Sequence, residues 1–268
     1  MKMKNTLVHL AIMGSLSIAS SNVLADSDHS KSCAKLPAWS TLQGALKAAQ
    51  NEKNGGFGLN MWATVVGRDG TVCAVAYSGA NSGSQWPGSR VISAQKANTA
   101  NAFGLDTLAL STANLYSATQ PGGTLYGLQA SNPVNTEVAY RGDSARYGAV
   151  NDPMVGGKIG GVNVFGGGLG LYDVNHKIIG AVGVSGDSSC ADHNIAWRVR
   201  NNLKLDNLTG VNGVSGDSAY PDNIVYDILS ASLATTVDSV NNSASGWGHP
   251  SCTPEATKIS SVGLPPVR

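Results

Sequence analysis

The chain has 268 residues, a formal net charge of +1 with histidine neutral, 42% hydrophobic residues and 13% charged ones. So apolar a composition excludes a disordered chain, and no apolar run reaches the ~18 residues of a membrane span. A near-neutral chain without a basic block argues against nucleic acid or an anionic membrane surface as partner.

The chain opens on Lys2 and Lys4, an apolar run over 7–18 and the small-residue pattern Val23-Leu24-Ala25. That is the layout of a secretory leader, with cleavage between Ala25 and Asp26. The run is short for an anchor and ends in Ser20-Ser21-Asn22. Cleavage removes two lysines and no acid, so 18 basic residues become 16 against 17 acidic and the net charge becomes −1. A periplasmic or secreted location permits disulfides. Four cysteines allow three pairings. We expect Cys33–Cys73 and Cys190–Cys252, because each would tie a terminal segment to the core. No C-x-x-C is present to favour a metal or redox centre.

TLQGALKAAQNE carries Leu42, Ala45, Leu46 and Ala49 at helical spacing, which predicts an amphipathic helix ending near Gly55-Gly56. LNMWATVV, the Arg68-Asp69-Gly70 turn and TVCAVAYSG predict a β-hairpin. Pro87-Gly88-Ser89 begins a second helix, RVISAQKANTANAFG, with a stripe of Ile92, Lys96, Thr99 and Phe103. Residues 108–161 read as loop, punctuated by Pro121-Gly122-Gly123, Asn132-Pro133, Arg141-Gly142-Asp143 and Asp152-Pro153. A loop that long inside a compact domain is more often functional than idle. VNVFGGGLGLYD, a turn at Val174-Asn175-His176 and KIIGAVGV predict a second hairpin. Ser189-x-x-Asp192 resembles a capping box opening a helix over 190–203. Residues 206–268 read as an extension of a domain spanning 26–205. Hairpins with separate helices give an α+β fold on an antiparallel sheet.

The hexapeptide GVSGDS occurs twice, at 183–188 and 213–218. It is not a nucleophile elbow, since Asp187 and Asp217 replace the last glycine of G-x-S-x-G, so Ser185 is not expected to be catalytic. Gly186, Asp187 and Ser188 form either an anion-binding turn or a plain helix cap. The second copy has no helix after it and reads as a look-alike loop. The GGGLG run at 166–170 precedes a strand, so it is no dinucleotide fingerprint.

In the helix that follows, Ala191, Ile195, Ala196, Val199 and Leu203 share one face. His193, Trp197 and Arg200 share another. An imidazole, a flat ring and a cation in a row suit a porphyrin: His193 to the iron, Trp197 to the ring, Arg200 to a propionate. Two other readings stay open: the Cys190–Cys252 bridge could bring GWGHPSC over this face, or the face could be a subunit interface. Lys96 either runs its stem along apolar surface or meets an anion at a pocket edge. His249 could join His193 at a metal if the bridge forms. His29 lies in the chain's start and His176 at a hairpin tip, where it is expected to be solvated.

KANTANAFG, PGGTLYGL, the GGV at 160–162 and IIGAVGVSGDSSCADHNIAW together resemble the GlcG/HbpS family of haem-binding proteins, related to the C-terminal part of the PduO proteins. The similarity runs from about residue 38 to 205. It implies a profilin-like α+β fold with a five-stranded antiparallel sheet and flanking helices, a homo-oligomer, and haem or a related small molecule as ligand. Some members of that family are exported and act beside sensor proteins, which would make a periplasmic protein a partner. The chain departs from the pattern at Cys190, where an acidic residue is usual, and in residues 136–158 and 206–268, which look added. No axial iron ligand carries over. The expectation is thus an exported, non-catalytic haem-binding protein. The alternatives are an enzyme or accessory subunit for a small organic acid, held by Lys96, Arg200 and the 186–188 turn, and an oligomeric structural module.

Overall fold

A computed structural model describes residues 31–228 and 243–268. The leader and His29 lie outside the described residues. Helix α1, Trp39–Gln50, buries Leu42, Ala45, Leu46 and Ala49, the stripe its sequence spacing predicts. Strands β1, Trp62–Gly67, and β2, Val72–Tyr77, pair antiparallel around the expected turn, in which Gly70 has a φ of 83°. Helix α2 is Ser89–Phe103. Strands β3, Gly168–Tyr172, and β4, Ile178–Ser185, form the second hairpin. Helix α3, Ser189–Asn202, follows, and α4, Pro254–Val262, closes the chain.

The described residues hold a four-stranded antiparallel sheet in the order β2-β1-β4-β3, where five strands were expected. Residues 162–167, read from sequence as part of β3, lie outside the strand. Two helices cover one face: Leu46 of α1 and Ile195, Ala196 and Val199 of α3 pack with Val65, Val182 and Val184. Helix α2 covers the other, with Val91, Ala94, Ala97 and Ala100 against Trp62, Val66, Val75 and Ala181.

The stripe expected on α2 holds at Lys96 and Thr99, which are buried, and is corrected at its apolar ends. Its apolar contact runs along small residues, while Ile92 and Phe103 are only half-buried. The reason is in the sheet. Gly168 and Gly183 are directly paired across β3 and β4. A Cβ on Gly183 would stand 2.0 Å from the Ser93 carbonyl oxygen, and one on Gly168 2.5 Å from that of Lys96. Two absent side chains therefore let the α2 backbone press onto the sheet, and only small residues fit along the contact. Thr64 and Ser93, also in this contact, share a hydrogen bond of 2.8 Å.

Residues 108–161 are mostly turns and single helical turns. Part of this region lies along the α2 side, where Arg90 donates to Asp152 and to the Ala139 carbonyl and sits 3.7 Å from the Tyr147 ring centre. Both expected disulfides are present, with Cα–Cα distances of 5.5 Å for Cys33–Cys73 and 6.0 Å for Cys190–Cys252.

Two outcomes follow from this packing. Gly183→Ala should lower the unfolding free energy by about 1–3 kcal/mol, the usual range for overpacking, and a variant as stable as the parent in urea would contradict the close approach. Replacing Cys190 and Cys252 together by alanine should remove about 4 kcal/mol on a chain-entropy basis; a loss below about 1 kcal/mol would mean that the tail is held without the bridge.

Candidate functional site

The end of β4 and the start of α3 form one wall of a cavity of about 200 Å3, and α2 forms another. On its floor are Lys96 of α2 and Asp192 of α3, 1% and 2% exposed. Lys96 Nζ donates to Asp192 Oδ2 at 2.6 Å and to the Val184 carbonyl at 3.1 Å. Asp192 Oδ1 accepts the Asp187 N–H at 2.8 Å. Burial opposes both charges: it pushes the Asp192 carboxyl up to about 6 against the pull of Lys96, and it lowers Lys96. Lys96 therefore neither runs its stem to solvent nor stands free. A buried pair of this kind is a costly feature for a fold to keep. Ser185 and Ser189 line the same cavity, and Trp86 and Phe165 stand at it 51% and 47% exposed.

The turn before α3 is satisfied from inside. Asp187 accepts the N–H groups of Phe57, Leu59 and Ser188 at 2.9, 3.2 and 2.6 Å. Gly186 has no space for a side chain beside the Asn60 carbonyl oxygen, 2.7 Å from an ideal Cβ. Ser188 is the N-cap residue but makes no capping bond, and its hydroxyl is buried without a partner. The expected Ser189–Asp192 capping box does not form, because Ser189 Oγ accepts the Gly166 N–H and Asp192 is committed to Asp187 and Lys96. The second GVSGDS is an exposed loop in which Asp217 accepts the Ala219 N–H.

His193, Trp197 and Arg200 do lie together, with ring centres 5.9 Å apart for His193 and Trp197 and the Arg200 guanidinium 4.6 Å from the Trp197 ring. They are 0, 1 and 0% exposed. The C-terminal segment fills the space before them. Asp222 takes both terminal nitrogens of Arg200 at 2.6 and 2.9 Å, Asn223 Oδ1 pairs with His193 Nε2 at 3.1 Å, and the Pro265 carbonyl accepts the Trp197 N–H at 2.8 Å. His193 Nδ1 has no hydrogen-bond partner. Burial lowers the imidazole to about 3. His249 bonds elsewhere, so the two histidines do not converge on a metal, and no cluster of three or more metal-ligating side chains occurs among the described residues. His176 is exposed at its turn.

Sequence reasoning missed three features. Trp86 and Phe165 gave no periodic signal. The third is Ser189 and His249: Ser189 Oγ lies 2.8 Å from His249 Nε2, and His249 Nδ1 lies 2.7 Å from the Pro250 carbonyl oxygen. Burial lowers His249 to about 4. The available signal was the expected bridge, since Ser189 precedes Cys190 and His249 comes three residues before Cys252.

A larger recess, about 980 Å3, lies at the other end of β4 under the two hairpin turns. Its Lys158–Asp69 and Lys177–Asp106 pairs are exposed, and such pairs contribute little. It holds none of the residues selected from sequence.

A family model described as "Haem degrading protein HbpS-like" matches residues 37–200. Among solved structures, the chain is similar to Klebsiella pneumoniae protein ORFY, at 22% identity and a TM-score of 0.42 over 72% of this chain and 97% of that one. It is also similar to the PduOC:heme complex, at 21% identity and a TM-score of 0.42 over 61% of this chain and 89% of that one. Comparison with curated protein sequences gives no match.

The buried groups set a pH dependence. Below pH ~6.5 the unfolded chain protonates His193 and His249 while the folded chain does not until about 3 and 4, so both histidines lose stability as pH falls. Asp192 has the opposite sign, because the folded chain holds a proton there from about 6 downward that the unfolded chain releases until 3.8. Two losses outweigh one gain, so urea midpoints should fall between pH 6 and 4. His249→Gln should flatten that decline; an unchanged slope would contradict the buried neutral imidazole.

Proposed function

The chain belongs to the HbpS-like family of haem degrading proteins, and from that membership we propose that it is an exported protein that binds haem or a related small planar molecule at the Trp86–Phe165 mouth. The observation that carries the placement is the pair of half-exposed aromatic rings beside a cavity whose floor is an enclosed Lys96–Asp192 pair. Apolar walls with a few fixed polar groups are the usual make-up of a small-molecule site. The leader pattern of residues 1–25 and the two disulfides support export.

The residues present fit haem only in part. The cavity is smaller than the roughly 300–1,000 Å3 of sites that enclose a drug-sized ligand, and its lining includes no imidazole. His193 has a free ring nitrogen but is fully buried, with Asn223 on its other nitrogen and with Asp222 and the 265 carbonyl on its neighbours Arg200 and Trp197. A porphyrin would therefore rest on Trp86 and Phe165, outside the cavity, and no step is assigned to its iron.

A small organic acid is the second reading, and one observation favours it. Lys96 is the cation of the cavity lining, and its partner Asp192 has a carboxyl pushed up to about 6. An incoming carboxylate could replace Asp192 on Lys96 while Asp192 takes a proton. Arg200, which the sequence pattern also offers to such an acid, is committed to Asp222.

Haemin titration of residues 26–268, read by absorption, tests the main proposal. Saturable binding should survive His193→Ala with an unchanged Soret band. Trp86→Ala with Phe165→Ala should weaken it about 5- to 150-fold, given about 0.5–1.5 kcal/mol for each of the two aromatic contacts. Loss of the Soret band in His193→Ala with binding intact in the double variant would place the ligand under the tail instead.

A further inference from the structure

Ser189 and His249 meet the geometric requirements for a nucleophile and its base. The His249 Nδ1–H must be the donor to the Pro250 oxygen, because a carbonyl can only accept. That fixes Nε2 as the bare nitrogen, and the Ser189 hydroxyl donates to it over 2.8 Å. The third group that orients the base is thus a backbone carbonyl, in the place a carboxylate takes in the familiar triad. Ser189 Oγ also accepts the Gly166 N–H at 2.7 Å, which fixes its rotamer. It sits on the first turn of the 14-residue helix α3, where the helix dipole favours developing negative charge.

Ser189 does not lie in a sealed core, while His249, 3% exposed, stands behind it and outside the cavity lining. Ser189 is half-buried and lines the same cavity of about 200 Å3 as Trp86, Ile92 and Phe165. Burial keeps the His249 imidazole neutral, so its Nε2 can take the Ser189 proton, and by lowering it to about 4 also makes it a weaker base than a free imidazole. The tail is also held by Cys190–Cys252, by Asp222–Arg200 and by Ser260, whose hydroxyl donates to Asn194 at 2.7 Å, so the Ser189–His249 contact is not its sole anchor.

We propose that Ser189 and His249 form a nucleophilic dyad that hydrolyses short-chain carboxylic esters bound between Trp86 and Phe165. Ser189 Oγ bonds to the acyl carbon as His249 Nε2 takes its proton and the carbonyl pair moves onto oxygen. Collapse of the adduct breaks the acyl–oxygen ester bond, and His249 returns the proton to the leaving alcohol. Water then attacks the acyl-serine through the same base, releasing the carboxylic acid and restoring the hydroxyl. The small cavity limits the acyl group to a few carbons. The activity goes beyond ligand binding at this mouth and does not depend on haem.

The test treats the oxidised protein with a fluorophosphonate probe, which a base-activated serine displaces at fluoride, and follows p-nitrophenyl acetate and octanoate hydrolysis. The expected result is one adduct per chain mapped to Ser189, with the acetate cleaved faster than the octanoate. Ser189→Ala should abolish the adduct. His249→Gln, which keeps a side chain able to bridge to Ser189 but not to carry the proton, should slow labelling about 10²–10⁴-fold, the usual share of a general base, with the Cys190–Cys252 bridge still present in the peptide map. An unlabelled parent protein, an adduct on another residue, or His249→Gln labelling at the parent rate would each overturn the dyad and leave the pair a structural tie between the tail and α3.

Discussion

The rest of the structure depends on how closely α2 approaches the sheet. Gly168 and Gly183, paired across the β3–β4 ladder, have no side chain to hold off the Ser93 and Lys96 carbonyls of α2. That approach carries Lys96 across the end of β4, where its ammonium reaches the Val184 carbonyl and the Asp192 carboxylate from the opposite layer. The pair thus joins the helices on the two faces of the sheet around the end of β4. Losing one partner would leave a buried charge alone, which is far more costly than losing both. The mouth formed by Trp86, Ile92 and Phe165 lies over this junction.

A second constraint comes from the tail. The described residues after 205 close the face of α3 that the sheet does not use, with apolar side chains such as Ile224, Ala256 and Leu264 and with polar groups. Arg200, His193 and Asn194 are each buried, and each is matched by a group from the tail: Asp222, Asn223 and Ser260. Buried polar groups of this kind need their partners. The same bridge that anchors the tail brings His249 to Ser189. The two halves of the site therefore have different origins: the floor comes from the matched family region and the imidazole from the segment beyond it.

Much of the fold was legible where the signal is local. Helix α1 follows from its four apolar positions, the β1–β2 hairpin from its Asp-Gly turn, and both disulfides from placement along the chain. Helix α2 was legible as a helix and its orientation only in part: Lys96 and Thr99 of the expected stripe are buried, Ile92 and Phe103 only half so. Its buried face carries Ser93, Lys96 and Thr99 beside alanines, and no hydrophobic periodicity marks a surface shaped by glycines on another element. The His193–Trp197–Arg200 row was correct as geometry. What it lacked was any indication that Asp222 and Asn223, over 20 residues later, are its partners. The Ser189–His249 contact joins positions 60 residues apart, and its one sequence signal was the expected Cys190–Cys252 bridge, which brings the two segments together without specifying the pair. Exposure of Trp86 and Phe165 is a property of the assembled surface and has no sequence period.

The central claim is that ligand enters at the Trp86–Phe165 mouth while the tail stays closed over α3. Hydrogen–deuterium exchange of the oxidised protein, with and without saturating haemin, tests it most directly. The account predicts new protection confined to the segments around residues 86–96 and 163–168, with exchange at 193–200 and 247–265 unchanged. Increased exchange in the tail together with altered exchange at 193–200, or no change anywhere, would contradict it.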